Sequence, residues 1–239
     1  MNKKILVFQF RTDKSLIHER SCILKTTGLN SSEVKFINIL NKKCEIPQFS
    51  DINLYRAVVL GGSGQVNISD WSPQIKKLIL RIKPFMRQVI KIDIPTLNIC
   101  FGHQLVSFMF GGGVKADQNQ AETGTHKILL NDQGKKSLLF KNIPASFYAV
   151  EGHKDSVTKL PQDAVLLASS DRCHVQAYRI KNNIYGLQFH PELDKQGMKY
   201  RISLFPSYAK GKDLDEFLKD YKQTSFAAKV LKNFSDICR

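Results

Sequence analysis

The sequence has no apolar run approaching the ~18 residues that a membrane-crossing helix needs, no C-x-x-C pair, and no Pro/Gly-rich or low-complexity tract. Each absence excludes a class of protein. The first excludes a membrane-spanning chain and the last a linker between separate bodies. Five cysteines, Cys22, Cys44, Cys100, Cys173 and Cys238, are odd in number and far apart. Neither a disulfide framework nor a zinc site is expected from them, and a reducing cytoplasm is. Acidic residues are scarce, 21 Asp+Glu against 36 Lys+Arg, for a formal charge of +15. The basic residues come in ones and twos, without an Arg-rich block or interleaved aromatics, so nucleic acid is not an expected partner. His126, His153 and His174 do not stand at metal-ligand spacing, and no metal or cofactor is expected.

What is present suits a globular protein. The 239 residues, 42% hydrophobic and 24% charged, can bury a substantial core but cannot hold two independent enzymes. The opening "MNKKILVFQF" is closed by Arg11, Asp13 and Lys14 and reads as a first strand, not a signal peptide.

Strands are expected at 4–10, 34–40, 57–62 and 94–100. A helix is expected over 72–92, with Ser72 as N-cap, Pro73 at the first helical position, and Ile75, Leu78, Ile79 and Ile82 on one face; Pro84 should kink or divide it. Strands alternating with helices imply an α/β fold, a doubly wound, mostly parallel sheet with helices on both faces. The second half carries closely spaced strand patterns such as "SFYAVEGH" and "NIYGLQFH". These suggest an antiparallel extension, a return to the sheet, and a final helix around 212–234.

In "TLNICFGHQLVSFMFGGGV", 96–114, Cys100 falls on the turn between a strand and a helix. A thiol there faces a helix N-terminus, which favours the thiolate. Gly102 lets the turn close. The stretch "VVLGGSGQVN" runs a strand into a glycine-rich loop, where a free N–H could pair with that of Phe101 to hold an oxyanion. In "YGLQFHPELD", His190 and Glu192 stand two apart; on extended chain they share a side, so the carboxylate can fix the imidazole's tautomer. Cysteine, histidine and glutamate together make a nucleophile, a base and an orienting acid.

"GGSG", "CFGHQ…FGGGV", "AETG", "EGHKDSV" and "YGLQFHPE" together resemble the class I (triad) glutamine amidotransferase family, and within it the glutaminase part of GMP synthase and its stand-alone relatives. The resemblance covers roughly residues 1–195, and residues 196–239 are expected to form a helical extension on the same domain. It implies Cys100 as nucleophile, His190 as base and then acid, and Glu192 as its orienting partner. It implies Gly62 and Phe101 as oxyanion donors. Gln104 and the backbone of Lys154 and Asp155 would hold the amino-acid end of glutamine. Ammonia and glutamate would be released through a γ-glutamyl thioester, without a cofactor.

Two positions depart from the family pattern: Asn98 stands where glycine is usual, and Lys154 replaces the glycine of H-G-D. Asn98 should crowd the elbow; Lys154 adds a cation beside the pocket. His103 and Trp71 read as packing residues, and Glu122 as part of the pocket's rim. The resemblance implies a glutaminase feeding a separate ammonia-accepting synthetase subunit. Two alternatives stay open: a γ-glutamyl peptidase acting on γ-glutamyl amines or peptides, and a non-catalytic basic binding protein.

Overall fold

The structure, a computed structural model, describes residues 3–238. The first half alternates strand and helix as expected: β1 (Lys4–Gln9), α1 (Ser15–Thr27), β2 (Val34–Asn38), β3 (Tyr55–Leu60), α2 (Pro73–Ile92), β4 (Thr96–Ile99) and α3 (Phe101–Met109). The second half runs β5 (Gly113–Ala116), β6 (Glu122–Leu130), α4 (Asp132–Lys136), β7 (Ser146–His153), β8 (Asp155–Lys159), β9 (Ala164–Ser169), β10 (Ala177–Ile180) and β11 (Ile184–Leu187). Three helices follow: α5 (Lys195–Leu204), α6 (Leu214–Lys219) and α7 (Ser225–Ile237).

Nine strands form one sheet in the order β2-β1-β3-β4-β11-β10-β9-β6-β7, and β5 pairs with β8 in a small second sheet. β2, β1, β3, β4 and β11 run parallel. β11, β10, β9, β6 and β7 follow one another antiparallel. The late strand β11 therefore returns to pair with β4, which places the segment after it beside the end of β4.

Strand alternation sends side chains to two cores. Ile5 and Val7 of β1 face one side with Ile23 of α1 and Ala227, Val230, Leu231 and Phe234 of α7. Leu6 and Phe8 face the other, under Ile75, Leu78 and Ile82 of α2 and Phe101 and Leu105 of α3. A third, smaller cluster joins Val150 of β7 to Leu193, Met198 and Ile202, so α5 is seated at the carboxyl-end side of the sheet.

Two sequence expectations change. Pro84 does not divide α2, which runs unbroken from Pro73, capped by Ser72 Oγ accepting from the Ile75 amide. Pro84 and Leu80, whose carbonyl loses its helical donor, are both exposed, so water can serve that carbonyl. The final helix is two helices. The chain leaves α6 to let the Lys222 amide donate to Thr125 Oγ1 at 3.0 Å, while Tyr221 and Thr224 hydroxyls pair at 2.9 Å.

Candidate active site

β4 ends at Ile99 and α3 begins at Phe101, so Cys100 is the whole connection. Its φ of 48° and ψ of −102° lie where a non-glycine residue is strained. The tether explains why it stays there: the Cys100 amide donates to the Leu187 carbonyl at 2.7 Å, and its carbonyl accepts from Gln104 at 3.0 Å. Gly102 is needed for a reason other than turn flexibility. A Cβ there would lie 2.5 Å from the Leu60 carbonyl oxygen, so glycine lets α3 press against β3. Asn98 is accommodated within the sheet, its amide donating to the Tyr185 carbonyl at 2.8 Å.

His190 enters from the segment after β11, held by a bridge to Val150 of β7 in which its amide donates to the Val150 carbonyl at 2.9 Å. Its Nδ1 meets Glu192 Oε1 at 2.8 Å. The pair forms across a turn, residues 191–192, not along extended chain as the spacing suggested. Burial disfavours charge on both partners, but each overcomes it through the other. Glu192 and the Cys100 sulfur raise His190 from 6.5 to about 10, and His190 lowers Glu192 to about 2. The Cys100 sulfur lies close enough to the same imidazole to favour its charge. A Cβ added to Gly62 would touch His190 Cε1 at 2.9 Å and Cys100 Cβ at 3.7 Å, so loop, thiol and imidazole share one small space.

The two expected oxyanion donors differ. Phe101 is the first residue of α3, where a helical amide has no intrahelical partner. The Gly62 amide instead donates to Glu19 Oε1 at 3.2 Å. Glu19 also accepts from Arg11 Nε at 3.0 Å and Gln9 Nε2 at 2.9 Å, all within the core. Arg11 Nη2 lies 3.0 Å from the same point beside Gly62 that touches His190, which puts a guanidinium against the thiol's surroundings. Sequence reading missed Arg11 and Glu19; they meet by i, i+8 spacing across a strand-to-helix turn, which carries no motif.

Gln104 and Asp155 are brought together: Gln104 Nε2 donates to the Asp155 carbonyl at 2.8 Å and to Gln188 Oε1 at 3.1 Å. The Asp155 carboxylate is held by the Ser69 amide and hydroxyl at 2.8 and 2.6 Å. Lys154 is exposed, its Nζ 5.6 Å from the centre of the Tyr208 ring. Burial and the nearby Cys100 push the Tyr208 hydroxyl up to about 12. The chain after α5 thus reaches over the thiol.

Glu122 is not at the rim. It is 1% exposed and accepts from Ser170 and Gln176, each at 2.6 Å, with His126 and His153 alongside. Burial opposes its charge, yet these partners lower it to about 2. Glu151 has neither carboxyl oxygen hydrogen-bonded, and burial together with the Glu122 charge raises it well above 4.5. The charge on Glu122 works against a second charge on Glu151 beside it. Glu122, His153 and Cys173 also bring three atoms of metal-ligating type within 4.8 Å of one another, a grouping the histidine spacing did not reveal. Burial lifts the Cys173 thiol to about 12, which favours its protonated form over a ligating thiolate. His103 is fully buried, stacked on Tyr178 with ring centres 4.8 Å apart, and held neutral by burial at about 3. Trp71 is 47% exposed and leans on Phe108.

The parallel half of the sheet thus carries a cysteine on a strained elbow that shares one small space with a histidine paired to glutamate. The family model described as glutamine amidotransferase class-I matches residues 22–203, and the chain belongs to that family. Among its relatives, a glutamine-hydrolyzing GMP synthase subunit of Methanosphaera stadtmanae is 33% identical over 68% of this chain and 81% of its own length. Gamma-glutamyl peptidase 3 of Arabidopsis thaliana is 28% identical over 64% of this chain and 60% of its own. The chain spans 32% of the longer GMP synthase of Borrelia garinii, at 30% identity. In fold it is similar to a solved glutamine amidotransferase from Thermotoga maritima, with a TM-score of 0.76 at 21% identity, covering 100% and 98% of the two chains.

Proposed function

We propose that this chain is a cysteine-dependent hydrolase of the γ-glutamyl side-chain amide, acting on glutamine or another γ-glutamyl small molecule. The observation that carries the reading is that Cys100 shares one small space beside Gly62 with an imidazole whose Nδ1 is bound to Glu192 at 2.8 Å. His190, raised to about 10, already holds the proton given up by the thiol; the sulfur attacks the amide carbon, forming an S–C bond as the carbonyl π bond opens onto oxygen. Collapse breaks the C–N bond as His190 returns the proton to the leaving nitrogen. Water, deprotonated by the same imidazole, then hydrolyses the thioester to glutamate and restores the thiol. The Phe101 amide is one oxyanion donor; the Gly62 amide joins it once released from Glu19. Gln104 and the backbone of Lys154 and Asp155 are assigned the amino-acid end of the substrate.

With glutamine as substrate the product is ammonia, and a separate cytoplasmic synthetase subunit is its acceptor, in keeping with the name of the Methanosphaera relative. A γ-glutamyl peptidase reading is favoured by the cation Lys154 near the pocket mouth and by the name of the Arabidopsis relative. Release of ammonia or amine from glutamine and γ-glutamyl compounds by the wild type and by Cys100→Ala tests the reading. Turnover that vanishes in the variant supports it, and turnover by neither protein, or by both alike, sinks it.

A further inference from the structure

The pocket beside His190 contains a charge that the chemistry above leaves idle. Arg201 of α5 is 9% exposed and lines this pocket together with His190 and Arg11. Its Nε donates to His18 Nδ1 at 2.9 Å, while its Nη2 is buried without a hydrogen-bond partner. His18 does not neutralise it, because burial and then the guanidinium itself hold that imidazole near 4, as a neutral acceptor. Burial and Arg11 lower Arg201 to about 10, which leaves it cationic at neutral pH. Glu192 accepts from His190 through Oε1, and its charge and that of Glu19 favour the Arg201 cation without a hydrogen bond to it. A buried cation with an unused donor is costly unless an anion completes it.

The space has the shape for such a ligand. A Cβ on Gly152 would meet no atom within 4 Å, so β7 presents bare backbone to the pocket. On the loop side Gly64 is covered by the Phe205 ring, which a Cβ there would strike at 2.7 Å. Met198, Ile202 and Phe205 supply an apolar wall from α5 and the turn after it. Position matters as much as charge. His190 must protonate the departing nitrogen, so whatever that nitrogen carries leaves on the imidazole side, where Arg201 is. Ammonia has nothing to offer a guanidinium there.

We infer that Arg201 and its pocket bind a carboxylate on the leaving-group side, so that the preferred substrates are γ-glutamyl amino acids and short γ-glutamyl peptides with a free carboxylate. The inference rests on the hydrolase reading above. In the reaction the C–N bond of the γ-glutamyl linkage breaks, its nitrogen takes the His190 proton, and it departs as the amino group of the released amino acid.

The test compares kcat/KM for γ-glutamylalanine, γ-glutamylethylamide, which lacks the carboxylate, and glutamine, in the wild type, Arg201→Gln and Arg201→Lys. A charge-assisted contact predicts a wild-type preference for γ-glutamylalanine over the ethylamide of about 10- to 100-fold. That ratio collapses towards one in Arg201→Gln and recovers in part in Arg201→Lys. Because the ratio is internal to each protein, reduced folding of a variant cancels, and the wild-type ratio stands without any variant. Equal wild-type turnover of the two amides, or an unchanged ratio in Arg201→Gln, overturns the subsite alone. Cysteine-dependent turnover of none of the three overturns the hydrolase reading and this inference with it.

Discussion

Cys100 holds its strained backbone, of a kind that costs about 1–3 kcal/mol, because its amide, its carbonyl and the packing of Gly102 on β3 leave no alternative. The same over-determination holds its partner: His190 is pinned by its amide to Val150 and by its ring to Glu192. Glu192→Gln keeps the shape but removes the charge and the fixed tautomer. A fall in kcat/KM of about 10²- to 10⁴-fold is expected, with little change in KM; a fall below tenfold would deny Glu192 its orienting role. Glu151 makes the opposite kind of statement. Its folded pKa is raised above the unfolded 4.5, so its contribution to stability is complete below pH 4.5 and is lost as pH rises towards the folded value. Glu151→Gln removes that titration. The variant should gain on the wild type in urea midpoint as pH rises above 4.5; a gain independent of pH would mean that the carboxyl is not raised in the folded protein.

Among the elements, α2 separates propensity from packing. It buries Ile75, Leu78, Ile82, Phe85, Met86 and Val89 along one stripe, and that burial holds the helix through Pro84. Pro84 faces solvent, so Pro84→Ala restores a helical donor to the Leu80 carbonyl without touching the core. It should stabilise the protein by about 1–3 kcal/mol, read as a higher urea midpoint at constant slope. An unchanged midpoint would show that water already satisfies that carbonyl fully. α5 is the element that most alters the site, since it closes a wall that β4, β11 and their loops leave open. The break between α6 and α7 shows why its neighbourhood was hard to foresee: no Gly or Pro marks it, and the cause is a tertiary bond to Thr125.

At the scale of the whole molecule, what could be read beforehand was short-range. The strand-cysteine-helix turn and the His190–Glu192 pair declare themselves within a few residues. Arg11, Glu19 and Arg201 could not, because one leaves the end of β1 and another arrives from α5, and only the fold makes them neighbours. Glu122 and Glu151 are likewise distant in order and joined by strand pairing. The same long-range logic gives the last expectation. α7 buries Ala227, Val230, Leu231 and Phe234 against β1 and α1, on the sheet face opposite α2. If residues 196–239 fold with the rest as one unit, damage under α7 must be felt across the sheet. Phe234→Ala should cost about 3–5 kcal/mol. Trp71, half exposed beside Phe108 on the α2 face, reports from the far side. In urea, its fluorescence and the far-ultraviolet circular dichroism should shift to a lower midpoint together. A circular dichroism midpoint that falls while the Trp71 transition stays in place would mean that the last helices unfold on their own, and that the wall bearing Arg201 is an independent element laid over the thiol.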